Sequence, residues 1–266
     1  MARDLLDDFT RPTFAFGGKE RTVYRQGEGT AVIVMAEIPG ITPAVASFAR
    51  RVVARGHTVY LPHLFGDPGA EMTTPGVVRS IVPACVAREF QAFALRTTAP
   101  AIDWLRALAR QAHAECGGPG VGAVGMCFTG GFALAMSTEP SMLAPVLSQP
   151  SLPIALNKSR AADLACSDQD LLTVTERARD DGLCVLGLRF TGDRMVPAAR
   201  FANLRRQLGE NFIGVEIDSS KGNPHGIRAA AHSVLTEDLV DEPGHPTRAA
   251  LDQVLDLFRS RLLGAG

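Results

Sequence analysis

Apolar and polar residues alternate in blocks along this chain, and the blocks predict strands and helices in turn. The uninterrupted apolar run Ala31–Ala36 is typical of a strand that is covered on both faces, and Thr58–Leu61 is predicted as the next strand. Between them, Pro43–Arg55 has helical periodicity and stops at Gly56, a residue type that commonly follows a helix C-terminus. Such alternation predicts one α/β domain over residues 1–266, with a mostly parallel central sheet and helices on both faces.

The same alternation continues to the C-terminus. Further strands are predicted at Arg21–Arg25, Val121–Val124, Ala144–Leu147, Cys184–Phe190 and Phe212–Ile217, and further helices at Ala99–Ala114, Ala198–Leu208 and Thr247–Leu263. Two connections are long: residues 66–82 are rich in Gly, Pro and Thr, and residues 157–181 are polar and partly helical. The pattern does not predict the order of the strands in the sheet.

Composition narrows the class of protein. Hydrophobic residues make up 46% of the chain, charged residues 21%, and the net charge is −1, which favours a soluble globular protein with no nucleic-acid or membrane partner. Acidic residues in the first segment argue against a signal peptide. Five scattered cysteines without a C-x-x-C spacing indicate neither a disulfide framework nor a zinc site. We therefore expect a cytoplasmic protein without metal or cofactor.

The stretch GAVGMCFTGGFAL, residues 122–134, combines a strand, a glycine-rich turn and a helix. This is the local plan of a nucleophile elbow, G-x-Nu-x-G, in which Cys127 takes the nucleophile position and Thr129 the place of the second glycine. Taken alone, Cys127 is either a nucleophile or a small buried apolar residue. The remaining cysteines are interpreted as buried structural thiols: Cys85, Cys116, Cys166 and Cys184.

An acid and a histidine follow later strands. Asp193 comes directly after the strand that ends at Phe190, and the loop 218–246 after the last strand carries His225 and His232. Because ligands bind at the carboxyl ends of strands in α/β sheets, these residues can converge with Cys127 in the order nucleophile, acid, histidine. Asp193 could instead cap the helix that follows it. Three other histidines are predicted to lie on the surface: His57, His113 and His245.

Glu37 ends an apolar strand, where a carboxylate is costly unless it is paired or used. At this point the sequence resembles the dienelactone hydrolase family of α/β-hydrolases over most of its length. The segments that carry the resemblance are Val32–Gly40, Tyr60–Leu64, Gly125–Cys127, Ser148–Pro150, Gly192–Pro197 and Ala231–Ser233.

The resemblance implies a Cys127–His232–Asp193 triad that cleaves lactones or small carboxylic esters through a thioester. It implies that Glu37 lies near the thiol and takes part in its activation. It further implies an oxyanion hole made by the backbone N–H groups of Phe128 and Ile38, in a protein that is a monomer or homodimer.

Several alternatives stay open in the sequence. Arg88 either binds a substrate carboxylate, as an arginine does in the family, or is a solvated helix residue. His225 is the alternative base, although His232 matches the family's context better. Thr129 and His63 depart from the family pattern, and the β-branched Thr129 asks for more room in the elbow. The rival functions are a general carboxylesterase, and a ligand-binding or redox-sensing module that uses Cys127.

Overall fold

The computed structural model describes residues 3–73, 100–152 and 161–263. The strands in those ranges are β1 (Thr13–Phe16), β2 (Lys19–Gln26), β3 (Thr30–Met35), β4 (His57–Pro62), β5 (Val121–Met126), β6 (Met142–Ser148), β7 (Val185–Phe190) and β8 (Phe212–Ile217). The α-helices are α1 (Pro43–Val53), α2 (Pro100–Cys116), α3 (Gly130–Met136), α4 (Asp168–Asp181), α5 (Ala198–Leu208) and α6 (Pro246–Phe258).

The described strands form one sheet of eight, in the order β1-β2-β4-β3-β5-β6-β7-β8. Strand β2 runs antiparallel to both of its neighbours, and all pairings from β4 to β8 are parallel. The chain leaves β3 for β4 on one side and then crosses back to β5 on the other. The carboxyl ends of β3, β5, β6, β7 and β8 therefore meet at one edge of the sheet, where α/β proteins bind ligands.

Helices cover both faces of this sheet. On one face, α1 and α6 contribute buried side chains such as Phe48 and Leu251 to a core that includes Val32 and Val124. On the other face, α2 and α3 pack Trp104 and Phe132 against the opposite sides of the same strands. Strand β3 is buried at every position because both of its faces are covered, as its uninterrupted apolar run predicts. None of the helices in the described ranges is long and apolar enough to cross a membrane.

The predicted alternation of strands and helices is confirmed, with two helix details of note. The predicted helix Ala198–Leu208 has those same bounds in the structure. The predicted helix Thr247–Leu263 is α-helical only to Phe258 and continues as a π-helical turn over Arg259–Leu263. The pattern gave no sign of strand β1, because its four residues are mostly exposed and show no apolar alternation.

The prediction that His57 lies on the surface is wrong. His57 is the first residue of β4 and is fully buried, with its Nδ1 atom 3.0 Å from the Thr30 hydroxyl. Its ring also packs edge-on against Phe258 of α6. Burial lowers the pKa of His57, so the ring is a neutral core residue that packs between β3 and α6.

Candidate active site

Cys127 stands at the tip of a sharp turn between β5 and α3. It opens the short 3₁₀ turn Cys127–Thr129 with a φ of +55°, in the left-handed region that favours glycine. A non-glycine residue in that region carries about 1–3 kcal/mol of backbone strain and persists only where its surroundings hold it. The side chain is 9% exposed. The cysteine thus has the strained, strand-to-helix geometry of a nucleophile elbow.

The hydrogen bonds of Thr129 and the small size of Gly125 explain how the elbow accommodates a threonine. The Thr129 hydroxyl accepts a hydrogen bond from the Met126 N–H at 2.8 Å and donates to the Met35 carbonyl at 2.9 Å. The side chain therefore links the elbow to the end of β3 instead of crowding it. The room comes from Gly125, where an added Cβ would lie 2.0 Å from the Thr129 carbonyl oxygen.

The structure brings His232 and Asp193 into direct contact. The Asp193 Oδ2 atom lies 2.6 Å from His232 Nδ1, although the two residues follow different strands, β7 and β8. The other Asp193 oxygen accepts the Met195 N–H at 2.8 Å. The residue at the N-cap of α5 is Pro197, so Asp193 orients the histidine and does not cap that helix.

The second ring nitrogen of His232 faces the thiol side of the site. Its Nε2 atom is buried and has no hydrogen-bond partner of standard geometry among the described residues. Burial lowers the pKa of His232, but the hydrogen bond to Asp193 and the nearby Cys127 sulfur outweigh it and raise that pKa to about 11. The ring is thus poised to carry a proton beside the cysteine.

A serine that the sequence did not single out touches the thiol. The Ser151 Oγ atom lies 2.9 Å from Cys127 Sγ, and the Ser151 N–H donates to the Cys127 carbonyl at 3.0 Å. Ser151 comes three residues after β6, which pairs with β5 in the sheet. The sequence could have indicated it only through the strand order, which places the loop after β6 beside the elbow.

Glu37 is fully buried at the carboxyl end of β3, and its partners lie mainly on the histidine loop. One carboxylate oxygen accepts from the Ser233 hydroxyl at 2.7 Å and from Gln149 Nε2 at 3.3 Å. The other accepts from the Thr236 hydroxyl. Two of these donors, Ser233 and Thr236, follow His232 in the same loop, so the carboxylate holds the loop that carries the histidine. No hydrogen bond joins Glu37 to Cys127 among the described residues.

Asp238 holds the same loop from the other side. One of its carboxylate oxygens accepts the backbone N–H groups of His232 at 2.8 Å and Ser233 at 3.0 Å. Arg228 forms an ion pair with the other oxygen at 2.8 Å. The backbone of His232 is therefore fixed independently of its ring.

Arg200 is a second residue that the sequence did not indicate. It belongs to α5 and is 2% exposed, and it donates to the carbonyls of Pro150 at 2.7 Å, Asp163 at 2.7 Å and Met195 at 3.0 Å. Burial lowers the pKa of Arg200, and the charges of Asp163, Asp193 and Cys127 raise it. The guanidinium thus joins the loops after β6 and β7 and places a buried positive charge near the site. A sequence pattern does not distinguish it from a solvated helix arginine.

The remaining predicted residues fall in different places. Phe128 is buried in the first turn after the nucleophile, with its ring 5.2 Å from that of Phe132, and Ile38 is half-buried beyond the end of β3. His225 is exposed, and its ring packs against His245 at 5.3 Å, so the structure pairs Asp193 with His232 rather than with His225. Arg88 and Cys85, which the sequence also singled out, lie outside the described residues. The ring of His63 lies aside from this site and forms a hydrogen bond with the Gly66 carbonyl.

Within the described ranges, no group of three or more histidine, cysteine, aspartate or glutamate side chains is placed to hold a metal ion.

The model of the dienelactone hydrolase family matches residues 21–262. A comparison with curated proteins finds no significant match.

Three solved structures illustrate the shared fold. A dienelactone hydrolase from Anabaena variabilis is 16% identical with a TM-score of 0.62, covering 96% of this chain and 98% of that one. A cold-adapted esterase from an Arctic intertidal metagenomic library is 14% identical with a TM-score of 0.59, covering 98% and 100%. A dienelactone hydrolase-like promiscuous phosphotriesterase from metagenomic libraries is 16% identical with a TM-score of 0.58, covering 96% and 98%. Since the family model spans most of the chain, this protein belongs to the dienelactone hydrolase family and has the α/β-hydrolase fold.

Proposed function

We propose that this protein hydrolyses lactones of the dienelactone type or other small carboxylic esters, with Cys127 as the nucleophile. The observation that carries the proposal is the Asp193–His232 pair at 2.6 Å. The Nε2 atom of that histidine has no partner of standard geometry among the described residues and lies beside a cysteine in a strained elbow. A nucleophile, a base and a residue that orients the base are what covalent acyl transfer needs.

The chemistry begins from a charged pair. His232 takes the proton of Cys127, a transfer that the raised pKa of the imidazole favours, and the sulfur attacks the substrate carbonyl as a thiolate. The C–S bond forms while the carbonyl electron pair moves to oxygen, where the N–H groups of Phe128 and Ile38 would stabilise it. His232 gives its proton to the departing alkoxide, which leaves a thioester.

The second half regenerates the enzyme. Neutral His232 removes a proton from water, and the resulting hydroxide attacks the thioester carbonyl. The C–S bond breaks, and the acid leaves as the thiolate of Cys127 and the imidazolium of His232 return. Asp193 keeps the same hydrogen bond to the ring throughout and favours the charged form of the imidazole.

The contacts of Glu37 support a positioning role in this reaction. Its carboxylate accepts hydrogen bonds from the hydroxyl groups of Ser233 and Thr236, which both follow His232 in the same loop. A buried carboxylate with three donors is a rigid anchor, because each donor that is lost leaves it with fewer hydrogen bonds in a low-dielectric interior. We propose that Glu37 acts on the thiol through the position of the histidine.

The substrate class is proposed from the family and from activities named for similar structures. Those names include dienelactone hydrolysis, ester hydrolysis and phosphotriester hydrolysis. A suitable panel therefore contains unsaturated lactones with and without a carboxylate, short aryl esters and one aryl phosphotriester. We further propose that the protein works in a reducing compartment, the cytoplasm, because the nucleophile must remain a free thiol. We also propose that it is a monomer or homodimer.

Two variants test the mechanism on this panel. Cys127→Ala and His232→Ala should each lower kcat/KM for the best substrate by at least about 10³-fold, as removal of a triad member does elsewhere. Cys184→Ala is the matched control, because Cys184 is also a buried free cysteine and should leave turnover unchanged.

Undiminished hydrolysis in either Cys127→Ala or His232→Ala contradicts the mechanism. Rapid alkylation of Cys127 without turnover of any substrate would favour the binding or redox-sensing alternative.

A further inference from the structure

Ser151 is held against the nucleophile by two separate contacts. Strands β5 and β6 pair in register so that Met126 lies opposite Ser148, and the chain after β6 turns back over the elbow. There the Ser151 N–H donates to the Cys127 carbonyl at 3.0 Å, and its hydroxyl lies 2.9 Å from the sulfur. The backbone bond fixes the distance between the two residues, so the hydroxyl contact is built into the fold.

Among the described residues, the Ser151 hydroxyl contacts no hydrogen-bond partner other than the Cys127 sulfur. Since Ser151 is only 3% exposed, its hydroxyl must donate its hydrogen bond to an acceptor inside the protein. Within the described ranges, the Cys127 sulfur is the acceptor within reach. Glu37 is not an alternative partner for the sulfur in this arrangement, since its oxygens accept from Ser233, Thr236 and Gln149.

Among the described residues, His232 and Arg200 carry charges that act on the sulfur, and Asp193 lies behind the histidine. N–H groups of Arg200 bind carbonyls on the neighbouring loops, and its positive charge acts on the sulfur. His232 must be free to give its proton to the leaving group. Within the described part of the chain, Ser151 is therefore placed to donate a hydrogen bond to the thiolate without taking part in proton transfer.

We propose that Ser151 is a catalytic residue that stabilises the Cys127 thiolate through an Oγ–H···S⁻ hydrogen bond. The serine keeps its proton throughout. The bond weakens as the C–S bond forms and the charge leaves the sulfur. It returns when the thioester breaks and the thiolate becomes the leaving group. This role deepens the proposed function, because it takes Cys127 as the nucleophile.

The test is the pH dependence of alkylation of Cys127 by iodoacetamide, followed by mass spectrometry of the peptide that contains it. Because hydrogen bonds to charged groups are strong, Ser151→Ala should raise the apparent pKa of alkylation by about one pH unit. At pH values below that pKa, the thiolate fraction and the alkylation rate should then fall by about tenfold. Ser151→Thr retains the hydroxyl and should restore the profile. Ser137→Ala is the matched control, since it removes a buried hydroxyl that donates to the Ala133 carbonyl of its own helix.

A folded Ser151→Ala protein with the wild-type alkylation profile would overturn the proposal. If Ser151→Ala does not fold, Ser151→Gly also lacks the hydroxyl and is judged by the same shift. The alkylation readout does not depend on ester turnover. A shifted profile in a protein that hydrolyses nothing would therefore retain the Ser151–thiolate bond and reject only the proposed hydrolase function.

Discussion

The hydroxyl of Thr129 should contribute a large part of the stability of the elbow, and Thr129→Val removes it with almost no change in shape. The oxygen accepts the Met126 N–H at 2.8 Å and donates to the Met35 carbonyl at 2.9 Å, in a position with no solvent exposure. A lost buried hydrogen bond costs about 0.5–1.5 kcal/mol, and a buried donor left unsatisfied costs about 1–3 kcal/mol. We expect a loss of about 2–4 kcal/mol in the free energy of unfolding.

Urea denaturation followed by circular dichroism measures this loss as a lower midpoint with an unchanged slope. Thr129→Ser keeps the oxygen and should lose about 1 kcal/mol or less, the effect of one buried methyl group. Thr138→Val is the control, because the hydroxyl of Thr138 binds one carbonyl at the partly exposed end of α3. The reasoning is refuted if Thr129→Val is no less stable than Thr138→Val.

Three further changes test the surroundings of the site. Asp193→Asn should lower the pKa of His232 from its raised value, measured by NMR titration. Because the pKa of His232 is raised in the folded state, the protonated ring stabilises the protein fully below pH about 6.5, and this stabilisation is lost as the pH rises toward 11. The difference in the free energy of unfolding between wild type and Asp193→Asn should therefore shrink over that pH range. Gly125→Ala should prevent soluble expression, because its Cβ would lie 2.0 Å from a backbone oxygen of the turn. Thr236→Val removes one donor from buried Glu37 and should cost about 1.5–3 kcal/mol in urea denaturation.

Local patterns predicted the elements that an apolar face defines. Helix α5 was predicted to its last residue because Phe201, Leu204 and Leu208 repeat at helical spacing and are buried. The positions of Cys127 and Asp193 were also predictable, since each directly follows a strand and parallel strands share one carboxyl edge.

Features that depend on strand order could not be predicted in this way. Ser151 reaches the thiol because β6 lies beside β5, and the chain between those strands gives no sign of that pairing. The same holds for the bonds of Glu37 to Ser233 and Thr236, which join positions 196 and 199 residues apart. The burial of His57 likewise depends on Thr30 in the adjacent strand, 27 residues earlier.

Covalent attachment of substrate to Cys127 is the central claim, and mass spectrometry of the acylated protein tests it most directly. The protein is mixed with a slowly hydrolysed aryl ester and quenched in acid during turnover, and its peptides are then mapped. We expect one acyl group on the peptide that contains Cys127, removable by hydroxylamine as a thioester is, and no acyl group there in Cys127→Ala. Turnover that proceeds without an adduct on Cys127, or with the adduct on another residue, would contradict the account.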